Sequence, residues 1–386
     1  GLQAAVGEHG LKQFQFSVET LNAKGGVLGG QKLEVVGFDN KGTPQESLVQ
    51  VQKAIDSGIR YITQGNGSGA AIAISDFVSK YNERNPGKEV LFFNYAAVDP
   101  SLTNEKCSYW HYRWDANSDI KMAALTNFMK SKADIKKVYI IGQDYAFGQS
   151  VRKAAREMLG AKRPDIQIVG DELHPLAKVT DFSPYIAKIK ASGADSVITG
   201  NWGSDFALLL KASADAGLQV NWYTYYAGGA GGPTAVKQTG LDHRVFAITE
   251  WHSNVPSAEM DIFEEAFLKK YGGPNGQRWW YLRVKNQMEM FASAINQAKS
   301  AEPKAVAAVL NSMKFKNVLG AEVFMRPTDH SLFQDMYIAS FGSGTKEDEE
   351  KTGWGWKTVG TIPAADTVIP TTCQMKTPTL SLIHIS

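Results

Sequence analysis

Short apolar runs, rich in β-branched and aromatic residues, alternate along this chain with longer segments whose apolar residues recur every three to four positions. The runs predict buried strands, at residues 33–38, 60–63, 90–94, 137–141, 166–169, 196–199 and 244–249. The longer segments predict helices, at residues 45–57, 70–81, 119–132, 150–159, 182–191 and 206–216. This alternation is typical of parallel sheets covered by helices on both faces. The sequence therefore predicts an α/β fold.

The alternation pauses once and changes character once. Residues 108–114 are polar and aromatic, and Asn117 and Ser118 then suit the start of a new helix. After residue 249, three helices are predicted at 258–271, 279–299 and 303–313, followed by strands near 322–325 and 336–341. A length of 386 residues also favours two domains of ordinary size.

Charge and ligand spacing exclude several classes of protein. The 41 basic and 39 acidic side chains give a formal charge of +2 and are spread along the chain, which argues against a nucleic-acid partner. No window reaches the uninterrupted apolar length of a membrane helix. The seven histidines form no pair at the spacing of metal ligands. We expect no metal and no cofactor.

The N-terminal residues, the C-terminal residues and one acidic segment are each predicted to lie outside the regular α/β pattern. The first residues, 1–7, predict a loop that leads into a helix, and a targeting peptide and an opening strand could precede them. Residues 380–386 read LSLIHIS, which a transposon end used in sequencing libraries encodes, so we interpret them as a non-native tail. Residues 346–351, KEDEEK, predict a solvated loop within the polar stretch 342–353.

The loop between the strand at 60–63 and the helix at 70–81 reads QGNGSGA. Gly65, Gly67 and Gly69 have the wrong spacing for a dinucleotide fingerprint, and Asn94 ends the next strand where an acidic residue would bind a ribose. The loop also lacks a phosphate-binding Gly-Lys-Ser/Thr and a nucleophile elbow around Ser68. Two interpretations remain open: an anion-binding turn at a helix N-terminus, or a tight turn that needs glycine for positive φ.

Aromatic residues are dense near the predicted carboxyl ends of the strands. They are Tyr95, Tyr145, Phe147, Trp202, Tyr223, Tyr225 and Tyr226. A second glycine cluster, residues 228–232, follows the last two and precedes Pro233, which suits a helix start. Such aromatics can simply cap a core, but their position on predicted ligand loops favours a cavity with stacking walls. An enzyme would need a nucleophile–base pair or a metal among these loops, and the sequence offers neither.

Three sequence segments resemble those of one protein family: LNAKGGVLGGQKL at 21–33, AAVDPSLTN at 96–104 and GQDYAFGQS at 142–150. Together with the Ser68 loop, they resemble the periplasmic solute-binding proteins of branched-chain amino acid ABC importers, over nearly the whole chain to about residue 379. The resemblance implies a type I periplasmic-binding-protein fold, with two doubly wound parallel-sheet lobes joined by three crossover strands. It implies lobe 1 from residues 1–117 and 251–327, lobe 2 from 118–250 and 328–379, and a first strand before Gly1.

The resemblance also implies a function and a location. We expect a non-catalytic, monomeric receptor in the periplasm, or lipid-anchored outside the cytoplasm, that closes on a small molecule and presents it to a membrane permease and its ATPase. A ligand-sensing domain of a signalling system is the alternative on the same architecture.

The ligand set is implied position by position. Family members hold an α-amino acid carboxylate at the position of Ser68, flanked here by Gly67 and Gly69, and at the positions of Ala96 and Ala97. Where leucine-binding members supply a threonine, a tyrosine and a glutamate for the ammonium group, ungapped placement gives Val98, Phe147 and Tyr226. A buried ammonium without acceptors is costly, although Tyr145 could replace one of them.

We therefore expect a small carboxylic acid, aromatic or aliphatic, that stacks on Tyr145, Phe147, Trp202 and Tyr225 or Tyr226, with a branched-chain amino acid as the alternative. Two distant cysteines, Cys107 and Cys373, are most often unpaired in an arbitrary chain, while export favours pairing. The family's own cystine is missing, with Gly42 and Gly67 at its positions, so the resemblance offers Cys107–Cys373 as an alternative bridge.

Overall fold

The computed structural model describes residues 2–272 and 278–378. The tail at 380–386 lies outside them. The helices are α1 (Leu2–Ala23), α2 (Pro44–Asp56), α3 (Ser68–Arg84), α4 (Ser118–Met129), α5 (Ala146–Lys162), α6 (Ser183–Ser192), α7 (Gly203–Asp215), α8 (Gly232–Thr239), α9 (Ala258–Tyr271), α10 (Tyr281–Ala298) and α11 (Pro303–Leu310). The strands are β1 (Tyr61–Gln64), β2 (Leu91–Asn94), β3 (His111–Arg113), β4 (Lys137–Gln143), β5 (Gln167–His174), β6 (Ser196–Thr199), β7 (Asn221–Thr224), β8 (Val245–Thr249), β9 (Lys314–Lys316), β10 (Glu322–Met325), β11 (Leu332–Phe333), β12 (Met336–Gly342) and β13 (Gly355–Ile362).

Two separate sheets form the centres of two lobes. In lobe 1, β1, β2 and β3 form a parallel sheet. In lobe 2, seven strands run in the order β13-β12-β8-β7-β6-β4-β5, parallel from β8 to β5 and antiparallel at β12 and β13. A small antiparallel sheet, β11-β10-β9, packs with the lobe 1 core. The α/β class with two lobes is confirmed.

The chain crosses between the two sheets three times. The crossings are residues 114–117 after β3, 250–257 after β8 and 334–335 after β11. Each crossing leaves the carboxyl-terminal side of one sheet region and enters the other lobe. This arrangement brings the carboxyl ends of the strands of both sheets to one cleft, where open α/β sheets bind their ligands.

Two predictions near the N-terminus are wrong. Residues 2–7 are the first turns of α1 and not a loop, in keeping with the high helix propensity of Leu, Gln and Ala. Residues 33–38 form no strand, and Val36 and Phe38 are 50% and 41% exposed. An extended segment becomes a strand only through a neighbour's hydrogen bonds, and within residues 2–272 and 278–378 the strand β1 pairs only with β2.

Other differences concern helix starts and short strands. α3, α7 and α5 begin two, three and four residues earlier than the spacing of apolar residues predicts, because a glycine in the first turn of each helix interrupts the apolar spacing there. The strands β3, β7, β9, β11 and β13 were not predicted. Beyond its first two residues, the outer strand β13 alternates between exposed and partly buried positions, so no apolar run marks this edge strand in the sequence.

The Cys107–Cys373 bridge is present, with Cα atoms 5.7 Å apart and a sequence separation of 266. Around it, the Thr371 hydroxyl donates to the carbonyl of Thr103 at 2.6 Å, and the Thr372 N–H donates to the Asn104 side chain at 3.0 Å. The bridge and these bonds fasten the C-terminal segment to the turn that follows β2.

The acidic segment at 346–351, called the acidic turn from here on, is not simply a solvated loop. Glu349 is 2% exposed, and its Oε1 lies 2.7 Å from the Ser253 hydroxyl, which also lies 3.1 Å from Oε1 of Glu264. One hydroxyl carries one proton and cannot donate to two carboxylates. One of the two carboxyl groups must therefore be protonated for both contacts to be hydrogen bonds.

Burial selects Glu349 as the protonated partner. Burial raises the pKa of Glu349 to about 8 and that of Glu264 to about 7. Glu264 has a cationic partner, since Arg278 lies 2.6 Å away and favours its charged form. The acidic turn thus contributes a neutral carboxyl group to a junction between the loop after β12, the second crossing segment and α9. The charged residues of the sequence KEDEEK do not by themselves predict a buried, neutral carboxyl group.

The disulfide yields a stability prediction. Reduction removes a cross-link that closes a loop of 266 residues, so we expect the free energy of unfolding to fall by up to about 5 kcal/mol in the chain-entropy model. Urea unfolding with and without reductant measures the change, after alkylation and intact mass have counted the thiols. An unchanged urea midpoint in a sample with two alkylated thiols would contradict it.

Glu349 yields a pH prediction. Its folded pKa of about 8 lies above the ordinary value of 4.5, so its contribution to stability is complete below pH 4.5 and is lost as the pH rises to 8. In this window the group lowers the free energy of unfolding by up to about 1.4 kcal/mol per pH unit. We expect Glu349→Gln to flatten the pH dependence of urea unfolding between pH 5 and 8.

The control is Glu347→Gln, which removes a carboxyl group from the same turn, where Glu347 is anchored through its backbone. Glu264, whose raised pKa gives a slope of the same sign, remains in both variants. Equal slopes in the two variants would show that Glu349 does not carry the proton.

Candidate functional site

A cavity with an empty volume of about 650 Å³, counted to its open mouth, lies in the cleft between the lobes. The lining residues are Gly65, Asn66, Gly67, Ser68, Ala96, Ala97, Val98, Tyr145, Phe147, Trp202, Gly203, Tyr226, Gly229, Trp280 and Arg283. Nine of the eleven predicted ligand residues are among them.

On the lobe 1 wall, Ser68 is the first residue of α3, and it is 2% exposed. The turn before it needs glycine twice: Gly67 has a φ of 95°, and a Cβ on Gly65 would lie 2.5 Å from the nitrogen of Ala96. The Ser68 hydroxyl oxygen accepts from the N–H of Asp99 at 3.2 Å, so its proton can be donated to a ligand. Gly67, which precedes α3, has no side chain that could cap the helix, so the N–H groups of its first turn can bind a ligand or water.

The neighbouring turn is held by Asn94. The Ala97 N–H donates to the side-chain oxygen of Asn94 at 2.8 Å, and the Ala96 N–H reaches the same oxygen at 3.2 Å. The Ala97 N–H thus already has an acceptor, and the binding of a ligand head by the Ala97 backbone stays a prediction. Ala96, Ala97 and Val98 line the cavity through the shape of this turn.

On the lobe 2 wall, Tyr145 and Trp202 act as a pair. The indole N–H of Trp202 donates to the Tyr145 hydroxyl oxygen at 3.0 Å. Burial raises the pKa of Tyr145, so the phenol remains protonated. Because Trp202 can only donate, the Tyr145 proton is directed to another acceptor. These two residues precede α5 and α7, neither of which has a side-chain cap.

The aromatic wall continues from Phe147 to Tyr226, whose ring centroids are 5.8 Å apart. Tyr225 lies behind this wall: it is fully buried, and its hydroxyl donates to the carbonyl of Ser118 at 2.6 Å. Gly69 is exposed on α3 and does not line the cavity. Tyr225 thus supports the wall, and the two predicted residues outside the lining are Tyr225 and Gly69.

Arg283 lines the cavity and was not predicted. It is 2% exposed, and its guanidinium makes a two-point contact with Glu250, at 2.6 and 3.0 Å, and donates to Asp115 at 2.9 Å. Lys121 lies 2.8 Å from the other oxygen of Asp115. In the sequence, the only indication of this buried ion pair is an arginine within the apolar pattern of the helix predicted at 279–299.

These four residues, the charge quartet, balance two buried cations against two buried carboxylates. Burial raises the pKa of Asp115, and the nearby charges of Arg283 and Lys121 oppose that rise. Burial also favours a higher pKa for Glu250, but Arg283 outweighs it and brings the pKa of Glu250 below its ordinary value. The quartet joins the first crossing, the start of the second, α10 of lobe 1 and α4 of lobe 2. It therefore lies at the connection between the lobes, and its Arg283 lines the cavity.

No group of three His, Cys, Asp or Glu side chains within residues 2–272 and 278–378 is arranged to hold a metal ion. In the same residues, no helix has the length and apolar character to cross a membrane.

Two α/β lobes, three crossings and a cleft between the carboxyl ends of both sheets define the class of two-lobe binding proteins. The family model described as periplasmic binding protein matches residues 1–346, and the chain belongs to that family.

Named relatives agree with this assignment. The chain is 30% identical to Leu/Ile/Val-binding protein homolog 4 of Brucella abortus (strain 2308), over 98% of this chain and 91% of that protein. It is 22% identical to the Leu/Ile/Val-binding protein of Escherichia coli (strain K12), over 90% of each.

Solved structures extend the similarity. The closed conformation of the leucine-, isoleucine-, valine-, threonine- and alanine-binding protein of Brucella ovis has a TM-score of 0.85 and 29% identity, covering 98% of this chain and 97% of that one. A solute-binding protein of an ABC transporter from R. palustris, in complex with 4-hydroxybenzoate, has a TM-score of 0.77 and 22% identity, covering 94% of each chain. The second similarity concerns the fold alone.

The charge quartet yields a prediction. Arg283→Met leaves Glu250 and Asp115 buried with one cation between them, so we expect the free energy of unfolding to fall by about 3–5 kcal/mol. Lys80→Met is the control, because Lys80 pairs at 2.8 Å with Asp76 on α3 and both side chains are exposed, and it should cost about 1 kcal/mol or less. Equal losses in urea unfolding would show that the quartet does not hold the lobes together.

Proposed function

We propose that this chain is an extracytoplasmic solute-binding receptor of an ABC importer that captures a small carboxylate-bearing ligand, aromatic or aliphatic, between its lobes. The family assignment supports the receptor class and its work with an ABC transporter. The closing of the lobes then presents the ligand to a permease and its ATPase.

One observation carries the choice of ligand. The cavity lining described above includes the cation Arg283 and no aspartate or glutamate. A ligand carboxylate can dock at the Ser68 hydroxyl and the uncapped N-terminus of α3. The cavity lining offers no carboxylate to a ligand ammonium, and Asp115 and Glu250, which lie behind Arg283, are already paired with it.

The rest of the ligand meets an aromatic surface. Tyr145, Phe147, Trp202 and Tyr226 line the side opposite Ser68, and Trp280 lines the same cavity from the helical part of lobe 1. Aromatic rings favour stacking or edge contacts with an apolar or aromatic body. The Tyr145 proton can bind an acceptor on that body.

A branched-chain amino acid is the second candidate. It is favoured by the names of two Brucella relatives that are 29–30% identical to this chain. One is named a Leu/Ile/Val-binding protein homolog, and the other a leucine-, isoleucine-, valine-, threonine- and alanine-binding protein. The ammonium would then depend on neutral acceptors such as the oxygen of Tyr145 or the carbonyl of Ala96. Such acceptors bind a cation less strongly than the glutamate expected in leucine-binding members.

A thermal-shift and calorimetric comparison of benzoate, isovalerate and L-leucine tests the proposal. We expect one or both acids to stabilise the chain more than leucine does. Ser68→Ala should weaken the binding of that acid at least tenfold, since a hydrogen bond to a charged group contributes about 1.5–3 kcal/mol.

Ser293→Ala, on the outer side of α10 where Ser293 accepts from Gln297, is the control and should bind as the parent chain does. Stabilisation by leucine and by neither acid would overturn the choice of ligand in favour of the second candidate. Equal binding by Ser68→Ala and the parent chain would remove Ser68 from the site.

A further inference from the structure

The glycine loop, residues 228–232, connects β7 to α8 and contacts both lobes. Gly229 lines the cavity next to Tyr226. Ala230 belongs to the apolar cluster of lobe 1 that contains Tyr95 and Trp280. A loop of lobe 2 therefore closes part of the cavity by packing on lobe 1, and its position affects both the cavity wall and the contact between the lobes.

The loop does not hold this conformation by itself. Gly231 has a φ of 78° and precedes α8 without a side chain that could cap the helix. Pro233 has no N–H, and the Gly232 N–H donates to the carbonyl of Gly229 at 2.9 Å. The N–H groups of Gly231 and Thr234 still need acceptors, and none is supplied from within the loop.

Glu350 of the acidic turn supplies both acceptors from more than a hundred residues away. Its Oε2 accepts from the Gly231 N–H at 2.8 Å, and its Oε1 accepts from the N–H and the hydroxyl of Thr234 at 2.8 and 2.7 Å. A carboxylate at a helix N-terminus is favoured by the helix dipole as well as by these bonds. One side chain thus fixes both the last residue before α8 and the first turn of that helix.

The acidic turn is itself attached to the second crossing. The backbone N–H of Glu347 donates to the Asn254 side chain at 2.8 Å, and the Asn254 amide donates back to the carbonyl of Glu347 at 3.1 Å. Two residues further on, Glu349 contacts Ser253 at 2.7 Å. The turn therefore carries contacts to the glycine loop at one end and to the connection between the lobes at the other.

We propose that Glu350 is a positioning residue of the ligand cavity: from the anchored acidic turn, it holds the glycine loop in place against lobe 1. The ligand-binding part of this inference rests on the proposed function, while the holding of the loop does not. Glu350 contacts neither the cavity nor a ligand; it acts through Gly229 and Ala230.

Glu350→Gln tests the inference, because glutamine keeps the shape of the side chain but offers one acceptor oxygen and no charge. Hydrogen–deuterium exchange of residues 228–234 is the first measurement. We expect the amides of Gly231 and Thr234 to exchange at least tenfold faster than in the parent chain. Glu347→Gln, in the same turn and with its anchoring contacts in the backbone, should leave their exchange unchanged.

Ligand affinity is the second measurement, with benzoate and L-leucine both used as probes. Whichever probe binds the parent chain should bind Glu350→Gln about tenfold more weakly, while Glu347→Gln and the parent chain bind it equally. A general loss of structure would instead raise exchange throughout lobe 2, including β4 and β6.

Two results would overturn the inference: unchanged exchange at Gly231 and Thr234, or faster exchange there with unchanged affinity for the bound probe. If leucine binds and benzoate does not, the choice of ligand falls but the test of Glu350 proceeds with leucine. If neither probe binds the parent chain, the proposed ligands are wrong. The contact of the loop with lobe 1 is then tested by the exchange of residues 280–283, which should be faster in Glu350→Gln than in the parent chain. Unchanged exchange of these residues would overturn the inference.

Discussion

The arrangement of the two lobes depends on the charge quartet formed by Arg283, Glu250, Asp115 and Lys121. Each member comes from a different segment, and all four are almost completely buried. A buried charge is tolerated only when it is paired and hydrogen-bonded, so the crossings and the helices α4 and α10 must keep their relative positions in this structure. The same contacts occupy the carboxylates that a ligand ammonium would need.

The ligand cavity is built mostly from backbone ends and aromatic surfaces. Three helices, α3, α5 and α7, begin at its wall after residues whose own side chains do not cap them, whereas Glu350 caps α8 from a distant turn. In the proposed function, the helix starts at the wall would offer donors to a ligand, and the capped helix would hold a loop in place. This difference would separate the parts of the cleft that recognise a ligand from the part that shapes the cleft.

Several elements could be predicted because their information is local. The strands β2, β6 and β10 and the helix α9 follow from runs and spacings of apolar residues, and the turn at Ser68 follows from its glycines. Residues 33–38 have the composition of a strand but no neighbour to pair with, and β13 lies at an edge where polar residues are tolerated. Local pattern cannot decide either case, because strand formation depends on a partner elsewhere in the chain.

The sequence alone predicts the α/β class, the resemblance to periplasmic solute-binding proteins and most residues of the cavity wall, since these depend on periodicity and on short motifs. The roles of Arg283, Glu349 and Glu350 depend on the tertiary structure. Each of these charged residues has partners that are distant along the chain, such as Glu250, Ser253 and Gly231. A charged side chain in a sequence predicts solvent exposure. Folding surrounds these three side chains with donors, acceptors and apolar residues from distant segments, and these surroundings give them other roles.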